Sequence, residues 1–201
     1  MKIPDHKAYR LLEKYNITTA KHVFVEDLKE AREAAGKLST PVVLKIDSPK
    51  IVHKSTAGCI QFVYSAGELD AKYNLLIRNA SRKTKEVDGV IVQELIDGQE
   101  FMIGSKIDEQ FDAVICFGLG GIHVEALRDV AFRLIPIKKA DAEQLIDDTR
   151  AGTILKSRSR VLKTLLNASR LVEKEGVSEM DINPLIVNDK AAIAADVRIM
   201  K

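Results

Sequence analysis

A single lysine breaks an otherwise apolar run, Pro41-Val42-Val43-Leu44-Lys45-Ile46. Burying an ammonium without a partner is costly. Either an anion such as a phosphate meets Lys45, or its long stem carries the charge out to water from a strand edge. A polar stretch with His53 and Lys54 follows. A neutral imidazole is a nucleophile near cytoplasmic pH; an exposed loop histidine with no role is the ordinary alternative. Gly118-Leu119-Gly120-Gly121 follows an apolar run and precedes Glu125, Arg128, Asp129 and Arg133. Such glycines let backbone N–H groups approach an anion. A tight strand-to-helix turn uses them equally well, and the pattern is neither GxGxxG nor a P-loop.

Two further groups carry oxygen and backbone functions. Asp181-Ile182-Asn183-Pro184 and Asp196 lie on a pair of β-rich runs, where oxygens on neighbouring strands can face one hard cation such as Mg2+. By themselves they read better as an Asn-Pro turn with flanking acids. Gln93-Glu94-Leu95-Ile96 and Glu100 offer backbone groups for a purine and a carboxylate for a ribose, or else an ordinary charged hairpin. Cys59 and Cys116 sit in apolar runs without CxxC spacing, so they are expected to be packed, reduced thiols.

The elements that must position these residues alternate irregularly, which predicts an α+β fold rather than a strict βαβ rhythm. Helices are expected over 5–15, behind an Asp5 cap, and over 26–38, 67–86, 141–149 and 159–175. Strands are expected over 41–46, 59–64, 89–96, 100–107, 111–117, 131–137, 180–187 and 191–197. Asp97-Gly98 reads as a tight turn within an antiparallel meander, and Asn188-Asp189-Lys190 as the turn of a closing hairpin. His53 and Lys54 then fall on a loop between two strands. The pattern as a whole suggests two α+β lobes with a cleft between them, roughly 20–95 and 96–201, with an N-terminal helix before the first.

At 201 residues and 46% hydrophobic content the chain can bury a core. Thirty-one basic and 29 acidic residues leave a net charge of +2, which argues against a general nucleic-acid surface. The densest basic patch, Lys156 to Arg160, reads as a solvated helix start or as a phosphate or partner contact. No apolar run approaches the roughly 20 residues that span a bilayer, and the first residues lack a signal-peptide core. No membrane partner and a cytoplasmic location are expected.

Four stretches, PVVLKIDSPKIVHKSTAGCI, VQELIDGQEFMIG, FGLGGIHVEALRDVAFRLIPI and EMDINPLIV, occur in an order that resembles one family. The chain looks like the β subunit of ADP-forming acetyl-CoA (acyl-CoA) synthetases, ATP-grasp relatives of the succinyl-CoA synthetase β subunit. The likeness covers essentially the whole chain. It implies an ATP-grasp fold with a nucleotide cleft, Mg2+ and ATP or ADP as cofactors, and a CoA-binding α subunit as partner in an α2β2 assembly. Lys45 would contact the phosphates, Gln93, Glu94, Leu95 and Ile96 would form the adenine hinge, and Glu100 would lie by the ribose. Asn183 and Asp196 match the Mg2+ ligands, with Asp181 as a further acid beside them. Gly120 and Gly121, with Arg133 beyond them, would attend the phosphoryl group in transit. His53 falls on the family's I-x-H-K-S-D histidine, which relays phosphate from a histidine of the partner.

The chain departs from that pattern in three places. Thr56 replaces the acid and Cys59 the second glycine of H-K-S-D-x-G-G. The stretch Ile154 to Arg160 lacks the family's Gly-x-Arg-Gly loop, and His123 stands where relatives place an aromatic residue. These changes leave a second reading, a catalytically weakened homologue that binds nucleotide and regulates or scaffolds a partner. A third, a carboxylate–amine ligase on the same fold, is disfavoured by His53 in its motif.

Overall fold

The computed structural model describes residues 1–121 and 129–201. They form two compact units, Met1–Lys7 with Ala20–Ile96, and Ala8–Thr19 with Asp97–Lys201. In chain order the elements are α1 (Asp5–Lys14), β1 (His22–Val25), α2 (Leu28–Leu38), β2 (Val42–Asp47), β3 (Ile60–Val63), α3 (Leu69–Ser81) and β4 (Gly89–Glu94). They continue with β5 (Gln99–Asp108), β6 (Asp112–Leu119), β7 (Val130–Leu134), α4 (Lys139–Asp147), α5 (Arg150–Ile154), α6 (Arg158–Glu175), β8 (Glu179–Val187), β9 (Ala192–Ala194) and β10 (Val197–Met200).

The first unit is an antiparallel sheet in the order β1-β4-β2-β3. Successive strand residues point to opposite faces. Val42, Leu44 and Ile46 of β2 and Val90 and Val92 of β4 therefore share one face, where they pack with Ala31, Ala34 and Ala35 of α2 and with Leu69, Tyr73 and Leu76 of α3. The other face carries Val43, Lys45, Ile91 and Gln93, because Val43 pairs with Gln93 and Lys45 with Ile91.

The second unit is built on a sheet in the order β10-β8-β5-β6-β7, with β9 pairing β8 beyond the end of β10. Ile103, Ile115, Met180, Ile182, Val197 and Ile199 are buried on one face, and α6 buries Val161, Leu165, Ala168 and Leu171. Tyr9 of α1 belongs to this unit and its hydroxyl donates to the Ala195 carbonyl at 2.7 Å.

Several sequence expectations need correction. The strands on either side of Asp97-Gly98 do not form a hairpin: β4 has both edges taken by β1 and β2, and β5 has both taken by β6 and β8. Gly98 is instead a close-packing point, since a Cβ there would lie 2.8 Å from the Val187 carbonyl oxygen. The helix expected to reach residue 86 stops at Ser81, and the Thr84 hydroxyl accepts the Glu86 N–H, a local bond that competes with helix. The last strand splits into β9 and β10 around Pro184, which has no N–H to give the ladder. Helix α1 is capped from a distance: the Asp47 carboxylate accepts the N–H groups of Asp5 (2.7 Å) and His6 (3.0 Å). Strand β1 and helix α5 escaped the sequence reading; both are short, and β1 has only four residues in which to show alternation.

Candidate functional site

In the first unit Lys45 lies mid-strand on β2 and is buried, with 5% of its surface exposed. Gln93, on the same face, is buried too. The segment after it is tied at its backbone: the Glu94 N–H donates to the Lys21 carbonyl at 2.9 Å and the Leu95 N–H to the Pro41 carbonyl at 3.3 Å. The Glu94 carboxylate accepts the Lys21 N–H at 2.8 Å, so it is turned toward the start of β1. Ile96 ends the unit.

His53 sits in the loop from Ser48 to Cys59, with its side chain exposed. The loop is a compact set of turns. Ala57 N–H donates to the His53 carbonyl (3.2 Å), Gly58 N–H to Ser55 and Cys59 N–H to Lys54 (2.8 Å). Gly58 has φ +64°, and a Cβ there would meet the Asn79 side chain at 2.8 Å, which accounts for the glycine. Thr56, in the place of an expected acid, donates its hydroxyl to the His53 carbonyl at 3.2 Å. Cys59 is buried, and burial pushes its thiol up.

In the second unit the register of the strands brings donors together. Ile182 pairs with Val197 and Asp181 with Arg198, and the Asn183 N–H donates to the Asp196 carbonyl at 3.2 Å. Asp181, Asn183 and Arg198 therefore lie on one face, opposite buried Met180, Ile182 and Val197, and Asp196, just before β10, adjoins Asn183 through its backbone. Asn183 Oδ1 accepts the Gly121 N–H at 3.0 Å. Gly121 has φ +71°, and a Cβ on it would lie 2.1 Å from Glu100 Oε2, so the Glu100 carboxylate rests against its backbone. A Cβ on Gly120 would lie 2.4 Å from the Phe101 carbonyl oxygen. Glu100 of β5, Gly121 just past β6 and Asn183 of β8 are thus one cluster, which Asp196 adjoins through its backbone and whose sheet face Asp181 shares.

Arg133 is not part of that cluster. It pairs with Ile115, whereas Asp181 shares its face with Gly104, Cys116 and Phe132. Its guanidinium donates to Asp148 just after α4 and to the Phe132 carbonyl. On a five-residue strand a shift of one position reverses the face, and the sequence alone left that parity open. His123, Glu125 and Arg128 lie outside the described residues.

Beside the cluster a cavity of about 250 Å³ is lined by Met102, Gly104, Cys116, Phe132, Asp181 and Arg198, among others. Burial is the main cause that pushes the Cys116 thiol up to about 11, with the nearby Asp181 charge adding to it and a backbone hydrogen bond from Gly104 opposing. The group is a neutral thiol near pH 7 and no nucleophile. Arg198, unremarked in the sequence, stands 3.8 Å from Asp181 Oδ2 and also pairs with Glu179.

Among the described residues no three His, Cys, Asp or Glu side chains form a metal cage of their own. Two carboxylates and an amide oxygen fit a hard cation that completes its shell with phosphate oxygens and water, as Mg2+ does.

The whole chain, residues 2–200, matches the model of a family described as an ATP-grasp domain. The chain belongs to the ATP-grasp family. This ATP-grasp chain is 37% identical over 209 residues to an ADP-forming acetate–CoA ligase II of Archaeoglobus fulgidus; the match takes in 100% of the chain and only 30% of that ligase's length. It is 35% identical to the β subunit of an ADP-forming acetate–CoA ligase II of Pyrococcus furiosus, with 98% of the chain and 90% of the subunit covered. It also resembles the dinucleotide-forming acetyl-coenzyme A synthetase 1 of Ca. Korarchaeum cryptofilum. One structure of that enzyme, with coenzyme A and Ca-AMPCP, matches with TM-score 0.92 and 34% identity over 99% of the ATP-grasp chain and 93% of its own. Another, with coenzyme A and Mg-AMPPCP and its phosphohistidine segment pointing towards the nucleotide site, has TM-score 0.82 and 33% identity over 99% and 92%. Among the described residues no helix is long and apolar enough to cross a membrane.

Proposed function

We propose that the chain is the nucleotide-binding part of an ADP-forming acyl-CoA synthetase, and that it moves a phosphoryl group between a phosphohistidine and Mg-bound ADP or ATP. The observation that carries this reading is the donor set of the second unit: Asp181 and Asn183 on β8 and Asp196 just before β10, its carbonyl on the Asn183 N–H, with the Gly121 amide on the asparagine and Glu100 against Gly121. The likeness to a Pyrococcus β subunit and to a synthetase holding Mg-AMPPCP supports it.

Each residue then has a task. Asp181, Asn183 and Asp196 hold Mg2+, which when bound neutralises phosphate oxygens. Lys45 gives a cation to the phosphates, the backbone of Gln93 to Ile96 an edge for adenine, and Glu100 an acceptor for a ribose hydroxyl. Gly120 and Gly121 keep the backbone open to the group in transit. His53 is the phosphorylated residue. Transfer from it breaks an N–P bond and forms an O–P bond to the terminal phosphate of ADP, leaving a neutral imidazole and ATP; the reverse needs the attacking nitrogen unprotonated. Acyl and CoA chemistry belongs to a separate CoA-binding α subunit in an α2β2 assembly, for the net reaction acyl-CoA, ADP and phosphate to acid, ATP and CoA.

A second reading, a nucleotide-binding homologue with weakened turnover, is favoured by one observation: Thr56 bonds back to the His53 carbonyl and gives the ring no carboxylate. Calorimetric titration of Mg-ADP into the chain tests what both share. Mg-dependent binding that weakens on the order of 10- to 100-fold in Asp196→Ala is expected. Absence of binding to folded chain at millimolar nucleotide overturns both.

A further inference from the structure

Four charged side chains that the phosphoryl chemistry does not use are buried in the first unit. Lys2, Asp5, Asp47 and Lys54 are each 5% exposed or less. Asp5 lies between two ammonium groups, with Lys2 Nζ 2.8 Å from its Oδ1 and Lys54 Nζ 2.7 Å from its Oδ2. Lys2 Nζ also donates to the carbonyls of Ser48 (2.8 Å) and Ile51 (3.2 Å). Asp47, two residues after Lys45 on β2, accepts the N–H groups of Asp5 and His6 and lies 2.6 Å from His6 Nδ1. The first residues of the chain are thus bonded into the end of β2 and into the loop before and after His53.

Stability is a poor account of such a network. Apolar residues of similar volume usually serve as well as a buried ion pair, while ion pairs are best attested where they fix one arrangement among several. What is fixed here is a backbone. Lys2 holds the carbonyls at Ser48 and Ile51, Asp5 holds Lys54, and Asn79 Nδ2 and Gln61 Nε2 both donate to the Gly58 carbonyl at 2.9 and 3.1 Å. Within this frame Val52, His53, Ser55 and Thr56 are exposed, and the imidazole is the reactive group among them.

We propose that Asp5 is a positioning residue for His53, acting through Lys54 and Lys2 to hold the loop in the one conformation that presents the imidazole for phosphoryl transfer. The claim rests on the reading of His53 given above. Group transfer is steep in geometry, a misplacement of about 1 Å costing on the order of 100-fold. A frame of buried charges therefore matters more to rate than to binding.

The test uses the full chain with Mg-[γ-32P]ATP as the probe. In Asp5→Asn and in Lys54→Met the single-turnover rate of labelling at His53 is expected to fall on the order of 10- to 100-fold. The dissociation constant for Mg-ATP should stay within about 2-fold, since uniform binding is untouched. Lys54→Arg, which keeps the charge, should recover most of the rate. Amide exchange should quicken in residues 51–58 and not in β2 or β4. Labelling at the wild-type rate in both variants overturns the proposal. So does a parallel loss of nucleotide affinity and of protection across the whole unit, which would mark the network as merely structural. If the wild-type chain takes no label, the phosphoryl-transfer reading fails, and exchange in 51–58 decides the positioning claim: unchanged exchange overturns it. Should Asp5→Asn not fold, Lys54→Met carries the same readouts.

Discussion

His53 is exposed and the groups that hold its loop are buried charges, reaching from residues 2 and 5 to residue 54. On the β8–β10 face Asp181 and Asn183 are half-buried and their supports are the rungs of a sheet, with neighbours fixed by register. The difference suits the tasks proposed for the two regions. A hard cation needs oxygens at set distances, which paired strands supply at low cost in side-chain order. A phosphorylated imidazole must present itself to donor and acceptor in turn, which suits a loop, and a loop needs anchoring from outside itself.

The comparison breaks if the two regions respond alike. The largest effect is expected from Asp196→Ala, with its loss of Mg-dependent nucleotide affinity and no change of exchange in residues 51–58. Asp5→Asn should show the reverse pattern in the same pair of measurements. Variants that move both readouts together would show one support system, not two.

A smaller effect is expected at the turn that closes the strand site. Gly120→Ala places a methyl group 2.4 Å from the Phe101 carbonyl oxygen. It should destabilise the second unit by about 1–3 kcal/mol in denaturant unfolding followed by exchange of β5 and β6. An unfolding midpoint equal to wild type would show that the turn yields, and that backbone approach there is not tight. Smaller again is Thr56→Asp. Restoring an acid beside His53 removes one turn hydrogen bond and offers the imidazole a carboxylate that can fix its tautomer. Labelling from Mg-ATP should quicken several-fold without change in nucleotide affinity. A slower rate would mean that the hydroxyl bond to the His53 carbonyl matters more than the missing charge.

Much of this was legible in the sequence for physical reasons that can be named. Lys45 stood out because its neighbours are apolar, and the structure finds it buried. Asp181 and Asn183 share a face because spacing of two on a strand preserves a side. Arg133 went astray because the register of a short strand sets which face it joins, and nothing in its own neighbourhood states that register. The supposed hairpin at Asp97-Gly98 shows the same limit at larger scale: turn chemistry was present, but which strand edges were already taken is a property of the whole chain. Asp5 read as a helix cap, and its partnership with Lys54, 49 residues away, left no local signal. Asp47, two residues after Lys45 in a fully buried strand, was the visible clue to a second buried charge.

The central claim is that His53 exchanges a phosphoryl group with a nucleotide held by this chain. Incubation of the chain with Mg-[γ-32P]ATP, followed by mapping of acid-labile, base-stable phosphate, tests it most directly. Label is expected on the peptide containing His53, dependent on Mg2+ and absent in His53→Ala. Label that persists in His53→Ala, or that maps to His6, His22 or His123, would contradict the account.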